Sequence, residues 1–323
     1  MKRVLGLEQP LVLSPMVDVT DPAFRVLAKK SGAAVTCSEM IAAVGLAHGN
    51  RGAWDLVERA PGEGPYGVQF MSADPAHIRD AVRQLAERVT VEFVDVNLGC
   101  PAPNILKSCA GGFLMRDPAQ AAKVVAAARE AADAAGIPHV SAKMRLGPDA
   151  ARLTYLEVGQ AVAAAGADWV TLHARTVAQG YSGAADWTHI ARLVEGVDIP
   201  VLGNGDLRTP ADVVRMREAT GCAGYFVARA AMRDPTVFRR MRQALDGRPV
   251  DPEPTLAERM ATMVAYLDAA PDAPIGDLRR AATRMVTGEP GAARLRERFN
   301  SAADAATLRA LADEVALRPG RAA

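Results

Sequence analysis

Short apolar runs rich in β-branched residues recur along the first three-quarters of the chain, and each ends on a turn or a polar cluster. Residues 11–16, 35–38, 66–71, 93–96, 139–145, 168–173, 200–203 and 224–228 read as strands of this kind. Between them, helices are expected over residues 22–30, 75–88, 118–135 and 153–165, the third alanine- and valine-rich with charges on one side and the fourth alanine-rich. The first of these opens on Asp21-Pro22, with the acid as N-cap and the proline at the first helical position. Residues 51–64 are polar and rich in helix breakers, and read as an excursion. Strands alternating with helices in this way predict a parallel (β/α)8 TIM barrel; an open doubly wound sheet is the competing architecture.

After residue 245 the pattern changes. A proline-rich connector, residues 246–254, leads into apolar residues at helical spacing over 256–267, 278–286, 292–299 and 305–316, with no strand signal. The chain therefore divides into a barrel over residues 1–248 and a small all-helical C-terminal domain over residues 249–323, of which 318–323 are expected to fray.

With 323 residues, half of them hydrophobic, the chain can bury one large barrel core and a smaller domain. A net charge of +1 gives no global polycation, so any nucleic-acid binding must use a local basic face. Cys37, Cys100, Cys109 and Cys222 form no CxxC pair or disulfide framework, which points to a reducing, cytoplasmic setting. The five histidines have no metal-site spacing, so no metal is expected. The apolar run after Met1-Lys2-Arg3 breaks at Glu8, Gln9 and Pro10, unlike a leader, and no run reaches transmembrane length.

In a parallel barrel the C-terminal strand ends carry the chemistry. Here they present Ser14-Pro15-Met16, Gln69, Asn97, Lys143 with Arg145, His173-Ala174-Arg175-Thr176, Gly203-Asn204-Gly205-Asp206 and Ala228-Arg229. Polar groups at nearly every strand mouth predict a ligand site, because burying them unpaired is costly. The small residues after the seventh strand let backbone N–H groups approach a phosphate, with Arg229 supplying charge. The fourth strand is expected to stop on Asn97, with Gly99 and Pro101 holding Cys100 on a turn. A lone cysteine is usually a small core hydrophobe; this one sits at a strand mouth.

Asn97-Leu98-Gly99-Cys100-Pro101, followed by Ala110-Gly111-Gly112-Phe113-Leu114-Met115 and Asp117-Pro118, closely resembles the active-site loop of tRNA-dihydrouridine synthases. Ser14-Pro15-Met16-Val17-Asp18-Val19-Thr20-Asp21-Pro22-Ala23-Phe24-Arg25, Lys143-Met144-Arg145-Leu146-Gly147, His173-Ala174-Arg175-Thr176, Tyr181-Ser182-Gly183, Gly203-Asn204-Gly205-Asp206 and Phe299-Asn300 extend the resemblance over nearly the whole chain. It implies an FMN enzyme that takes electrons from NADPH and reduces a uridine of the tRNA D-loop to 5,6-dihydrouridine. Hydride would go to C6, and Cys100 would protonate C5. Ser14, Pro15, Met16, Gln69, Lys143, His173, Asn204, Gly205, Asp206, Ala228 and Arg229 would hold FMN. Lys143 suits the N1–C2 carbonyl of a reduced flavin, and Gln69 the edge of its ring. No G-x-G-x-x-G follows the first strand, so FMN fits better than FAD or a resident NAD.

Asn97, Arg145 and Arg175 are expected on the uracil side, and Arg280, Arg284, Arg294 and Arg298 on tRNA phosphates. Residues 277–299 carry six arginines against three acids, a net of +3, and each of those two arginine pairs shares a helical face. The chain departs from the family pattern at Ala174 and Ala228, where glycine is usual, at Asn104, where lysine is common, and at Arg280-Ala281-Ala282-Thr283, where the family often has Arg-Lys-His. Two other readings use the same residues: an FMN barrel acting on a free small molecule, and a flavin-free RNA-binding protein.

Overall fold

Three of the helices begin on one dipeptide. Asp21, Asp74 and Asp117 each precede a proline and accept a hydrogen bond from the backbone N–H of Phe24, Ala76 and Gln120, at 2.9, 2.8 and 3.0 Å. The carboxylate satisfies a donor that the helix leaves free, and the proline has no donor to lose. The resulting helices, Pro22–Lys30, Pro75–Arg88 and Pro118–Ala135, have the predicted bounds.

The structure, a computed structural model, describes residues 2–317; residues 318–323, expected to fray, lie outside the described residues. Its strands are β1 (Leu11–Leu13), β2 (Thr36–Ala42), β3 (Tyr66–Met71), β4 (Phe93–Leu98), β5 (His139–Arg145), β6 (Trp169–His173), β7 (Val201–Asn204) and β8 (Gly224–Val227). All pair in parallel, β2 through β8 in sequence and β8 with β1. The remaining seam is closed by Leu13 N–H to Val35 O at 3.0 Å and Ala34 N–H to Leu11 O at 2.8 Å. This is the (β/α)8 barrel, with C-terminal helices after it.

Strand ends differ from expectation where a neighbour continues the ladder. β4 does not stop at Asn97: Asn97 and Leu98 pair with Lys143 and Met144 of β5. β2 runs on to Ala42, because Met40, Ile41 and Ala42 pair with β3 after a register shift. Residues 51–64 are not all excursion, since Arg51–Val57 is a helix capped by Asn50, which accepts from Ala53 N–H at 3.0 Å. Val57 is buried and Ala53, Trp54 and Leu56 are partly buried against the core, a contact that only packing fixes.

The tail helices are Leu256–Ala269, Ile275–Met285, Ala292–Ser301 and Ala305–Ala316. They dock on the first βα unit. Tyr266 meets the Phe24 ring edge-on at 6.3 Å, and its hydroxyl donates to Asp21 Oδ2 at 2.5 Å. Buried Arg259 donates to Met285 O at 3.0 Å and pairs with Glu289. Among the described residues, no helix is long and apolar enough to cross a membrane.

Candidate active site

β4 brings Asn97 to the top of the barrel and hands the chain to Gly99 and Cys100. The Asn97 side-chain oxygen accepts both Gly99 N–H, at 3.1 Å, and Cys100 N–H, at 2.9 Å. Arg145 Nε donates to Gly99 O at 2.8 Å. Behind the loop the Gly111–Arg116 turn returns, and Gly112 N–H donates to Cys100 O at 3.0 Å. A Cβ on Gly112 would stand 2.8 Å from that same oxygen, so the approach requires glycine. Both backbone groups of Cys100 are therefore fixed, and its half-buried thiol borders a cavity.

That cavity measures about 840 Å³ and lies at the C-terminal mouth of the barrel. Its wall includes Ser14, Pro15, Met16, Gln69, Lys143, His173, Asn204, Gly205, Asp206, Ala228 and Arg229, together with Asn97, Cys100 and Arg145. The structure thus brings together the thiol and every side chain expected to hold a flavin. Among the described residues no cluster of acids, histidines and cysteines could hold a metal ion.

The wall is strongly positive: Lys143, Arg145, Arg208, Arg229 and Arg284 stand against the single carboxylate of Asp206. Burial, then the nearby Arg145, lowers the Lys143 ammonium to about 8, and its hydrogen-bond partner is Asn204 Oδ1 at 3.4 Å. His173 is held neutral by burial and by Lys143, Arg145, Arg175 and Arg229 around it. Burial alone would raise Asp206, but the Ala185 N–H and the Arg175 and Arg208 guanidiniums prevail and hold it at about 2. Among the described residues, the buried Ser14 hydroxyl has no partner. A site with spare cationic donors and an orphaned hydroxyl fits an anionic, phosphate-bearing ligand.

Other expected residues lie elsewhere. Arg175 does not face the cavity. Its fully buried guanidinium donates to Ser182 O at 3.1 Å, Gly183 O at 2.6 Å and Asp206 Oδ2 at 2.7 Å, which ties the loop after β6 to the loop after β7. Arg145 borders the cavity, but Gly99 O, Thr176 O and Gly180 O take up its donors. Arg284, expected on an outer RNA face, is part of the cavity wall. Arg280 pairs with Asp277 and Asp18, and Arg298 with Glu314. Arg294 is exposed and pairs with no carboxylate among the described residues.

Three further residues belong to the site. Asp95, buried in β4, is raised to about 6 by burial against the pull of Ser141, Gln69 and Lys143; one acid inside an apolar strand is its signal in the sequence. Tyr181 is 63% exposed at the cavity rim, with the Arg145 and Arg229 guanidiniums 5.4 and 5.7 Å from its ring centre. Glu39, raised to about 7 by burial, accepts Asp18 N–H at 2.8 Å beneath the loop after β1. Its burial comes from the extension of β2, which no pattern in the sequence marks.

Residues 12–318 match the family described as Dihydrouridine synthase (Dus). A probable tRNA-dihydrouridine synthase of Treponema pallidum is 37% identical over 247 residues, covering 75% of this chain and 72% of that protein. One from Mycobacterium tuberculosis is 34% identical over 306 residues, covering 90% of this chain and 78% of its own length. Among solved structures, histamine dehydrogenase from Rhizobium sp. 4-9 superposes with a TM-score of 0.51 at 13% identity, over 80% of this chain and 49% of that one, a likeness of fold.

Proposed function

The chain belongs to the dihydrouridine synthase family, and on that premise we propose that it is an FMN-dependent tRNA-dihydrouridine synthase that uses NADPH. The observation that carries this reading is the convergence in one cavity of the Cys100 thiol with every side chain expected to hold the flavin. Bound FMN, reduced by NADPH, supplies the hydride that uracil C6 receives.

The protein's own groups do the rest. Ser14, Asn204, Gly205, Ala228 and Arg229 bind the phosphate end, where ionised Asp206 holds the Arg229 guanidinium at 2.9 Å and the Ser14 hydroxyl finds the partner it lacks among the described residues. Ala228, where glycine is usual, keeps its backbone N–H and so the donor. Lys143 places its cation where negative charge accumulates, and neutral His173 adds a donor without a second buried charge. Cys100 gives its proton to C5 from a loop fixed at both backbone groups. A target uridine sits inside folded tRNA and must leave its stack to enter the mouth. The positive wall attracts its phosphates, and residues 249–323 serve as the tRNA-binding domain.

The decisive experiment maps dihydrouridine in tRNA from a deletion strain complemented with the wild type or with Cys100→Ala. Restoration by the wild type alone is expected. Unchanged dihydrouridine at every D-loop position in the deletion strain, or a purified protein that takes up no FMN, would overturn the reading.

A further inference from the structure

Four side chains cross the barrel interior in one bonded chain. Ser141 Oγ donates to Asp95 Oδ1 at 2.5 Å, and Gln69 Nε2 donates to Asp95 Oδ2 at 2.7 Å. Gln69 Oε1 accepts from Asn97 Nδ2 at 2.8 Å, and Asn97 Oδ1 accepts from Gly99 and Cys100 N–H. We propose that Asp95 is a positioning residue for the Cys100 thiol, acting through the side-chain amides of Gln69 and Asn97. The inference deepens the proposed function and rests on Cys100 being the acid in that reading.

The direction of the chain follows from its two ends. An ionised carboxylate only accepts, and a backbone N–H only donates. Between those ends each amide has a single orientation that satisfies every bond: NH₂ toward Asp95, oxygen toward the cysteine loop. Reversing either amide sets donor against donor or acceptor against acceptor, at a cost of about 1–3 kcal/mol for each buried group left unpaired. Asp95 is thus the group that orients Asn97, and Asn97 fixes the Cys100 N–H.

A purely structural role accounts poorly for this carboxylate. Gln69, Asp95 and Ser141 already occupy one register level, joined by the backbone ladder of β3, β4 and β5. A buried acid adds a desolvation cost that a leucine of similar size would not. The other charged or titratable groups facing it are Lys143 on β5 and the Cys37 thiol on β2. Neither hydrogen-bonds to it, so the outlet of the chain is the cysteine loop.

Amide hydrogen exchange in cofactor-free protein reads that outlet without any catalysis. Asp95→Leu should speed exchange at Gly99 and Cys100 by about tenfold or more, the scale set by one hydrogen bond. Asp95→Asn, which can accept from Gln69 and donate to the Ser141 oxygen, should keep the protection. In loaded enzyme, Asp95→Leu should lower uridine reduction while NADPH oxidation persists, and Asp95→Asn should rescue it. Unchanged exchange at both amides in a folded Asp95→Leu protein overturns the proposal.

Should Asp95→Leu fail to fold, Asn97→Asp supplies the second test. Two carboxylates then flank one amide, which can donate to only one of them. Adding Asp95→Asn restores a fully bonded chain of opposite direction, so the double variant should regain the protection that Asn97→Asp loses; equal exchange in single and double variants overturns the proposal. The Cys100→Ala complementation reads the acid role separately. Normal dihydrouridine there would dismiss Cys100 as the donor, while the exchange data would still report whether Asp95 orders its loop.

Discussion

Arg284 donates to the backbone oxygen of Asp18 at 2.7 Å across 266 positions of sequence. The helical tail, the last quarter of the chain, thereby holds the loop that follows β1, the loop carrying Ser14, Pro15 and Met16 to the cavity. Glu39 holds the same loop from the barrel side through Asp18 N–H.

Arg284→Ala should loosen that loop as well as remove a cation from the wall. FMN affinity should fall by about three- to tenfold, the range of one charge-assisted hydrogen bond at a partly exposed site. Fluorescence titration of cofactor-free protein measures it, and an unchanged Kd would mean the loop needs no help from the tail.

Cys100→Ala should retain bound flavin and NADPH oxidation but lose uridine reduction by about 10²–10⁴-fold, the range for a positioned general acid. Cys109 is exposed and is not part of the cavity wall, so Cys109→Ala is the mild control. Dihydrouridine yield per turnover, measured by nucleoside chromatography, separates the two.

Lys143 should impose a pH dependence on anion binding. Its lowered pKa of about 8 means that the cation is lost as pH rises through that value. FMN affinity should therefore weaken from about pH 7 to pH 9, and Lys143→Met should bind less tightly with that dependence removed. The stability effect has the opposite sign. Between about 8 and the ordinary 10.5 the native state binds fewer protons than the unfolded chain, so this group makes folding more favourable as pH rises. Titrations in a series of buffers test the first, and denaturant melts the second.

The tail arginines should not act alike on tRNA. Arg294 is exposed and without a carboxylate partner among the described residues, whereas Arg298 is paired with Glu314. Arg294→Ala should flatten the salt dependence of tRNA binding by up to ~0.9 log units, the slope of one phosphate contact, and Arg298→Ala should do so less. Equal slopes in the two variants would remove the distinction. Flavin content should stay constant in both.

The sequence by itself determined the architecture and most of the cavity wall. Strand and helix periods, the Asp-Pro helix starts and the turn glycines are local signals, and parallel-barrel topology turns each strand end into a position at the mouth. Knowing that Gln69, Lys143, His173 and Asn204 end or approach the ends of strands is nearly enough to place them together. Only tertiary structure decided what each polar group is paired with. Arg175 and Arg145 have the same chemistry as Arg229 in the sequence, yet Arg175 is taken up by carbonyls of its own loop and by Asp206, and Arg145 by carbonyls of distant turns, while Arg229 stays at the rim. Arg284 looked like part of an RNA face because helical spacing ranks residues within one helix. The docking of that helix against Asp18 is set by side chains hundreds of positions away. The direction of the Asp95–Gln69–Asn97 chain is likewise invisible in the sequence, because a hydrogen bond depends on which donor meets which acceptor, and strand register rather than residue type sets that meeting.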